Sequence, residues 1–413
     1  MTKDRVSLLT GLCFMGLGIV LIFLPNLVYS WMLNLAIVYC FIQTMYLMYL
    51  IVKERKWIDV LYAILTLGFF FILTYYTHFP EWIIRVSFGA YCLLVSAATF
   101  VQFIINWKYK IQHTTFVSFY TIVYLVLGLF LLFTPNFDTN LLLRFFGMYF
   151  ILLGVRNLHD FYEMNNGALP YSWKRKFRLM LPPEICVLLP DWSLTIIQKQ
   201  DRNVESIHVK DEDVVLKIMV HVGPVGFQKI GHISFAYKDR VYSYGNYDSS
   251  TYRWSQTLGE GVYFNVNLDD YIENMNTIEK NSVFEYGIRV SVAQQKHIEE
   301  KLEELKKNSY PWKCKIEQEN GYDHFEDFES DYPSRLHYRT NATFYKIKSG
   351  KFKAYWALGD NCATFTDLVL GTLGSDVLSL RGITSPGTYF DYLEKEYRKP
   401  SSPIVYRNIH MRK

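Results

Sequence analysis

Little in this 413-residue chain points to nucleotide, nucleic-acid or metal chemistry. It has no Walker A run and no GxGxxG, so the backbone cradle that holds phosphates in those motifs is missing. The net charge is only +4 and no basic block dominates, which excludes the electrostatic footprint of a nucleic-acid binder. Six cysteines are too few for a disulfide scaffold at this length, and Cys13, Cys40 and Cys92 stand in apolar runs where a thiol acts as a small hydrophobe. His297-Ile-Glu-Glu lacks the second histidine of a zinc HExxH motif. The acidic run Asp323–Asp331 lacks the glycine of an EF-hand loop and reads as a solvated loop. Neither a metal nor an organic cofactor is expected.

Charge is scarce in one part of the chain only. Residues 1–165 carry ten Lys/Arg and seven Asp/Glu, whereas the remaining 248 carry 33 and 32. That split excludes both a uniform soluble globule and a disordered chain. Six apolar stretches have the length of bilayer spans: Val6–Leu24, Leu27–Val52, Trp57–Tyr76, Trp82–Trp107, Thr115–Phe133 and Leu141–His159. The first is too long, and lacks the small-residue site, for a cleaved signal peptide. Alternate connections hold eleven basic residues (Lys3, Arg5, Lys53, Arg55, Lys56, Lys108, Lys110, Lys174, Arg175, Lys176 and Arg178), and the others hold none. By the positive-inside rule both termini face the cytoplasm of a multi-pass membrane protein. Arg85 and Arg144, near the outer span ends, read as side chains that snorkel to headgroups. No span carries a buried acid–base series, which disfavours a proton-coupled transporter.

The spans repeat. Gly18 through Pro25-Asn26 matches Gly128 through Pro135-Asn136 at an offset of 110, Tyr39 and Tyr149 share it, and Gly68 and Tyr91 supply the middle pair. Three helical hairpins are expected, with glycine allowing close helix approach. This pattern resembles the HdeD-type family of small bacterial membrane proteins. The resemblance implies an all-α six-helix bundle associated with acid resistance over residues 1–165.

Residues 166–204 are basic, aromatic and interrupted by Pro182-Pro183 and Pro190, a juxtamembrane connector at an anionic inner leaflet. From 205 to 413 the pattern becomes α+β. A strand at Val214–Val222 precedes a hairpin of Lys229–Tyr237 with Arg240–Gly245 about a Lys238-Asp239 turn. The capping box Ser291-Val-Ala-Gln294 opens a helix at Val292–Lys307 with Ile298, Leu302 and Leu305 on its buried stripe. Thr343–Lys348 and Phe352–Ala357 read as a second strand pair, and Asp360 or Asn361 caps a helix beginning at Cys362.

The chemistry-bearing pair is His232 and Cys362. In the first helical turn, the dipole and unpaired N–H groups favour the Cys362 thiolate, and its own N–H can hold an oxyanion. On Gly231–Tyr237, Ile233, Phe235 and Tyr237 share the bulky face. His232, Ser234 and Ala236 share the small one, which leaves room for a helix N-terminus carrying a thiol. His221 is the rival base, on a more crowded face with Met219. Cys314 has no partner signature. The order Gly231-His232 on a strand, then Asn361-Cys362 opening a helix, resembles the circularly permuted papain-like hydrolases, relatives of the NlpC-type peptidases and lecithin:retinol acyltransferases. The resemblance covers residues 205–395 and makes Cys362 the nucleophile and His232 its base. The family's third member, which orients the imidazole, falls on Asn246 if Gly245 forms a bulge or the loop has three residues. Ser243, on the right face but short, and Asp248, further out, are the alternatives.

The expected protein is a membrane-tethered cysteine hydrolase or acyltransferase whose partners are the bilayer and a lipid, acylated-protein or peptide substrate, without nucleic acid. The competing expectation is a non-catalytic stress-response or sensor protein with a partner-binding cytoplasmic domain.

Overall fold

A computed structural model describes residues 3–111, 114–134, 139–165, 214–223, 231–373, 385–398 and 402–412. The juxtamembrane connector, the Pro135-Asn136 turn and Lys229-Ile230 lie outside the described residues. The chain divides into two compact units, residues 1–96 with 122–165 and residues 97–121 with 166–413. The ends of two helices around residue 110 thus group with the C-terminal domain rather than with the other helices.

Six helices form: α1 (Lys3–Phe23), α2 (Pro25–Glu54), α3 (Trp57–Tyr75), α4 (Phe79–Lys108), α5 (Thr114–Phe133) and α6 (Thr139–Asn165). Pro25 starts α2, where its missing N–H costs nothing, and Arg55 ends it in the left-handed conformation. Among the described residues, four helices are long and apolar enough to cross a membrane, over Pro25–Lys53, Trp57–Tyr75, Phe79–Lys108 and Thr114–Phe133. Within those same described residues, α1 and α6 also contain apolar stretches, Leu8–Phe23 and Asn140–Val155. Large apolar side chains such as Leu35, Ile64, Phe119 and Phe133 are exposed on these helices, a surface suited to acyl chains and not to water.

In the first unit, α1 packs most extensively along α6, and α2 along α3. Chain neighbours α1 and α2 meet far less than α2 and α3, so among these helices the hairpin that packs is α2–α3 and not the expected α1–α2. Glycine explains the α1–α6 contact: a Cβ on Gly18 would lie 2.6 Å from the Gly147 carbonyl, and one on Gly147 would lie 2.7 Å from that of Gly18. Gly128 packs on Leu93 and Gly89 in the same way, whereas Gly68 faces open space. Gly147→Val should therefore cost about 1–3 kcal/mol through overpacking. Gly68→Ala should leave the thermal midpoint of the detergent-solubilised protein unchanged.

The second unit is built on β1 (Leu216–Val222), β2 (His232–Tyr237), β3 (Arg240–Gly245), β4 (Leu258–Glu260), β5 (Val262–Asn267), β6 (Ser282–Ile288), β7 (Ser309–Trp312), β8 (Thr343–Ile347), β9 (Ala354–Trp356) and β10 (Ile404–His410). Its described helices of nine residues or more are α7 (Leu268–Thr277), α8 (Val292–Lys307), α9 (Tyr332–Thr340), α10 (Cys362–Leu370) and α11 (Pro386–Tyr397). Eight strands form one sheet in the order β10-β6-β1-β2-β3-β5-β8-β7, with antiparallel neighbours. The sequence-based hairpin is present as β2 and β3, and α8 starts at the Ser291/Gln294 capping box. The second expected strand pair does not form. β8 joins the large sheet between β5 and β7, while β9 pairs with β4 in a separate two-stranded sheet. Gly350 and Phe352, both at positive φ, carry the chain out of the large sheet between them.

The alternation of β2 and β3 sorts the core into two layers. Ile233, Phe235 and Tyr244 pack with Phe365 and Val369 of α10. On the other face Ala236, Val241 and Phe264 pack with Tyr271 of α7 and Leu336 of α9. Each fully buried aromatic or branched side chain contributes about 1.5–3 kcal/mol, so the two layers fix α10 firmly against the sheet.

Candidate active site

Cys362 opens α10 behind a complete cap. Asn361 Oδ1 accepts from the amides of Ala363 (2.9 Å) and Thr364 (3.2 Å), Thr364 Oγ1 accepts from the amide of Asn361 (2.8 Å), and Asn361 Nδ2 donates to the Ala357 carbonyl (2.9 Å). The first turn is therefore held from both sides, and the thiol has a fixed origin.

Its surroundings differ from the expected ones in two respects. First, α10 lies on the bulky face of β2, not on the small face shared by His232, Ser234 and Ala236. The Phe365 ring stacks on Tyr244 (4.9 Å between centroids) and Phe235 (6.1 Å), and this aromatic interlock decides the side. Second, the thiol is nearly closed off, at 3% exposure. Burial pushes its pKa up to about 11, although the amides of Ile233, Ala363 and Cys362 itself pull it back down. The helix start alone does not make a thiolate here, because desolvation outweighs the dipole.

The amide of Ile233 reaches the sulfur because the sheet opens at this point. The β2–β3 ladder runs from Tyr237↔Arg240 to Phe235↔Tyr242 and stops there. Continued, the register would pair Ile233 with Tyr244 and His232 with Gly245. Instead the Ile233 amide faces Cys362. His232 is thus the next residue in the chain to one that contacts the sulfur, although among the described contacts none joins the sulfur to the imidazole.

His232 takes part in a polar cluster on the small face. Its Nε2 lies 2.7 Å from Ser243 Oγ and 3.5 Å from Tyr247 OH, and Ser243 Oγ lies 3.0 Å from Tyr247 OH. His221, directly opposite in β1, packs its ring 5.8 Å from that of His232 and bonds Ser234 Oγ at 2.9 Å. Burial pushes His232 down to about 4, and burial together with the neighbouring His232 pushes His221 well below the usual histidine range. Both imidazoles are neutral at physiological pH. A neutral imidazole can accept a proton, but the described contacts set this one, His232, against Ser243 and Tyr247 on the small face and not against the Cys362 sulfur.

Among the three candidates for the orienting residue, Ser243 is the one in contact with His232. Asn246 is turned away, its Nδ2 donating to the Gln256 carbonyl. Gly245 ends β3 without the bulge that would redirect Asn246. Asp248 is bound to Lys346 and Ser250 instead. Tyr247 and Tyr271 escaped sequence reasoning. Tyr247 lies at the end of the Val241–Tyr247 stretch, a local signal. Tyr271 meets the His221 ring at 5.5 Å only through the tertiary placement of α7, which no local pattern announces.

Cys314, without a partner signature in the sequence, has partners in space. Its sulfur, the Glu317 carboxylate and the His337 ring place one ligand atom each within 4.8 Å of one another. The thiol donates to Glu317 Oε2 (3.1 Å), while His337 bonds the Ala342 carbonyl (2.8 Å) and Tyr322 OH (2.9 Å). Burial and the Glu317 carboxylate push the thiol up to about 12, so the group reads as a protonated helix cap. In the acidic run, Asp331 caps α9 through Ser334, with Oδ2 3.2 Å from the amide and 2.7 Å from Oγ.

No family model, curated protein or solved structure matches this chain. The functional reading therefore rests on its own residues.

Proposed function

We propose that the chain is a membrane-tethered thiol hydrolase or acyltransferase, with a permuted papain-like catalytic domain and an HdeD-type six-span anchor. Cys362 attacks an amide or ester carbonyl and forms an S–C bond. His232 takes the thiol proton and returns it to the departing amine or alcohol as the C–N or C–O bond breaks. Water or an acceptor then releases the thioester. The oxyanion is met by amides at the start of α10. The observation that carries this reading is a cysteine sulfur at a capped helix N-terminus, facing three backbone amides, one of them from the residue after His232. The basic connections favour a cytoplasmic catalytic domain and hence lipids, acylated proteins or peptides of the inner leaflet as substrates.

The test is hydrolysis of acyl esters and acyl peptides by the full chain in vesicles. Activity that disappears in Cys362→Ala and persists in Cys314→Ala supports the proposal; equal activity in Cys362→Ala sinks it. One observation favours a second reading, a non-catalytic sensor: the burial that pushes the Cys362 thiol up to about 11. Under that reading Cys362 resists alkylation until the domain unfolds.

A further inference from the structure

The loop that presents Cys362 is held from outside its own sheet. Gln102, on α4, makes a two-point contact with Asp360: its Oε1 accepts from the Asp360 amide (3.1 Å) and its Nε2 donates to Asp360 Oδ2 (2.9 Å). The same Nε2 lies 2.8 Å from Asn106 Oδ1, one helical turn further on. The loop closes on itself, with the Gly359 amide bonded to the Trp356 carbonyl (2.9 Å) and the Trp356 amide to the Asp360 carbonyl (3.0 Å). Trp356 Nε1 donates to the Ala98 carbonyl of α4 (3.1 Å), and Ala98, Ile105, Ala354 and Trp356 share one apolar cluster. Gly359 is required by this approach, since a Cβ there would lie 2.0 Å from Gln102 Oε1. Gln102 and Asn106 are polar side chains one turn apart in a helix otherwise apolar enough to cross a membrane. Such residues are costly in that setting unless they are partnered.

We infer that Gln102 is a positioning residue: it fixes Asp360, and through Asn361 the first turn of α10, so that the Cys362 sulfur is held toward its backbone amides. What the loop is positioned for rests on the proposed thiol chemistry; the clamp itself does not. The inference ties the state of the thiol to α4, so a movement of that helix loosens the loop that carries the nucleophile.

The experiment compares the full chain in vesicles as wild type, Gln102→Leu, Gln102→Glu and the double variant Gln102→Glu/Asp360→Asn. Gln102→Leu removes both contacts. Gln102→Glu keeps the acceptor for the Asp360 amide but sets two carboxylates together. The double variant restores a donor–acceptor pair with its polarity reversed. Hydrogen exchange over residues 354–366 is the first readout: Gln102→Leu should exchange about tenfold faster at Asp360, with β5 and β8 unchanged as the folding control. The pH profile of Cys362 alkylation is the second. It should move about one unit higher in Gln102→Glu, a tenfold slower rate at fixed pH, and return in the double variant. Wild-type exchange in Gln102→Leu, or a double variant no closer to wild type than Gln102→Glu, overturns the clamp. Exchange needs no thiol chemistry, so loss of activity in Cys362→Ala and loss of protection in Gln102→Leu test separate claims.

Discussion

Lys346→Met should destabilise the C-terminal unit by about 3–5 kcal/mol at neutral pH, toward the lower end of that range because one partner is partly open to water. Lys346 Nζ lies 2.6 Å from Asp248 Oδ2 and 2.5 Å from Glu260 Oε2, and its ammonium sits over the Trp312 ring at 5.4 Å. The Lys346 and Asp248 side chains are each 10% exposed, and Glu260 is 35% exposed. Methionine keeps the volume and removes the charge, which leaves two carboxylates without their main counter-charge. Burial alone would raise Asp248 and Glu260, yet Lys346 holds both below the usual carboxylate range. A lowered carboxylate pKa contributes stability above its unfolded value and loses it as pH falls through the folded one. Wild type should therefore lose stability below about pH 4, near the ordinary carboxylate range. Lys346→Met lacks that contribution at neutral pH, so the gap between the two should narrow with acidification. Urea unfolding of both proteins from pH 8 down to about pH 2, through the carboxylate range, reads this directly; a constant gap would show that the network contributes little.

On the proposed thiol mechanism, His232→Ala should lower turnover by about 10²–10⁴-fold, the usual contribution of a positioned general base. Ser243→Ala should cost less, because it removes only the partner that orients the ring. With His232 depressed to about 4 by burial, the imidazole stays neutral and competent from mildly acidic pH upward. The unfolded histidine binds its proton near pH 6.5 and the folded one does not, so stability from this site is full above 6.5 and declines as pH falls toward 4. The thiol, pushed up to about 11, remains protonated through neutrality. Wild-type turnover near pH 7 then depends on the base, and the His232→Ala deficit should shrink as alkaline pH supplies thiolate directly. A deficit that does not change with pH would place His232 outside proton transfer.

The elements that local pattern defines were legible in the sequence. The Lys238-Asp239 turn, the Ser291/Gln294 cap and the helix opening at Cys362 all follow from short-range chemistry, and each is present. Partner choice was not legible. β8 and β9 are a few residues apart yet pair with β5 and β4, because Gly350 and Phe352 redirect the chain at positive φ and the neighbouring strands lie far away in sequence. The small face of β2 suggested room for the thiol. Counting space missed the attraction of Phe365 for Tyr244 and Phe235, which places α10 on the other side. Asn246 was the expected orienting residue, but the register of β3 gave the contact to Ser243. Gln102 stood in plain view as a polar residue in an apolar run, and its meaning depended on where Asp360 would lie.

Peptide-resolved alkylation of Cys362 as a function of pH, in the folded full chain, tests the nucleophile assignment most directly. The account predicts labelling at the Cys362 peptide that climbs steadily with pH toward about 11 and is slowed in His232→Ala at neutral pH. A Cys362 that stays unlabelled until the sheet unfolds, or that labels identically with and without His232, would contradict it.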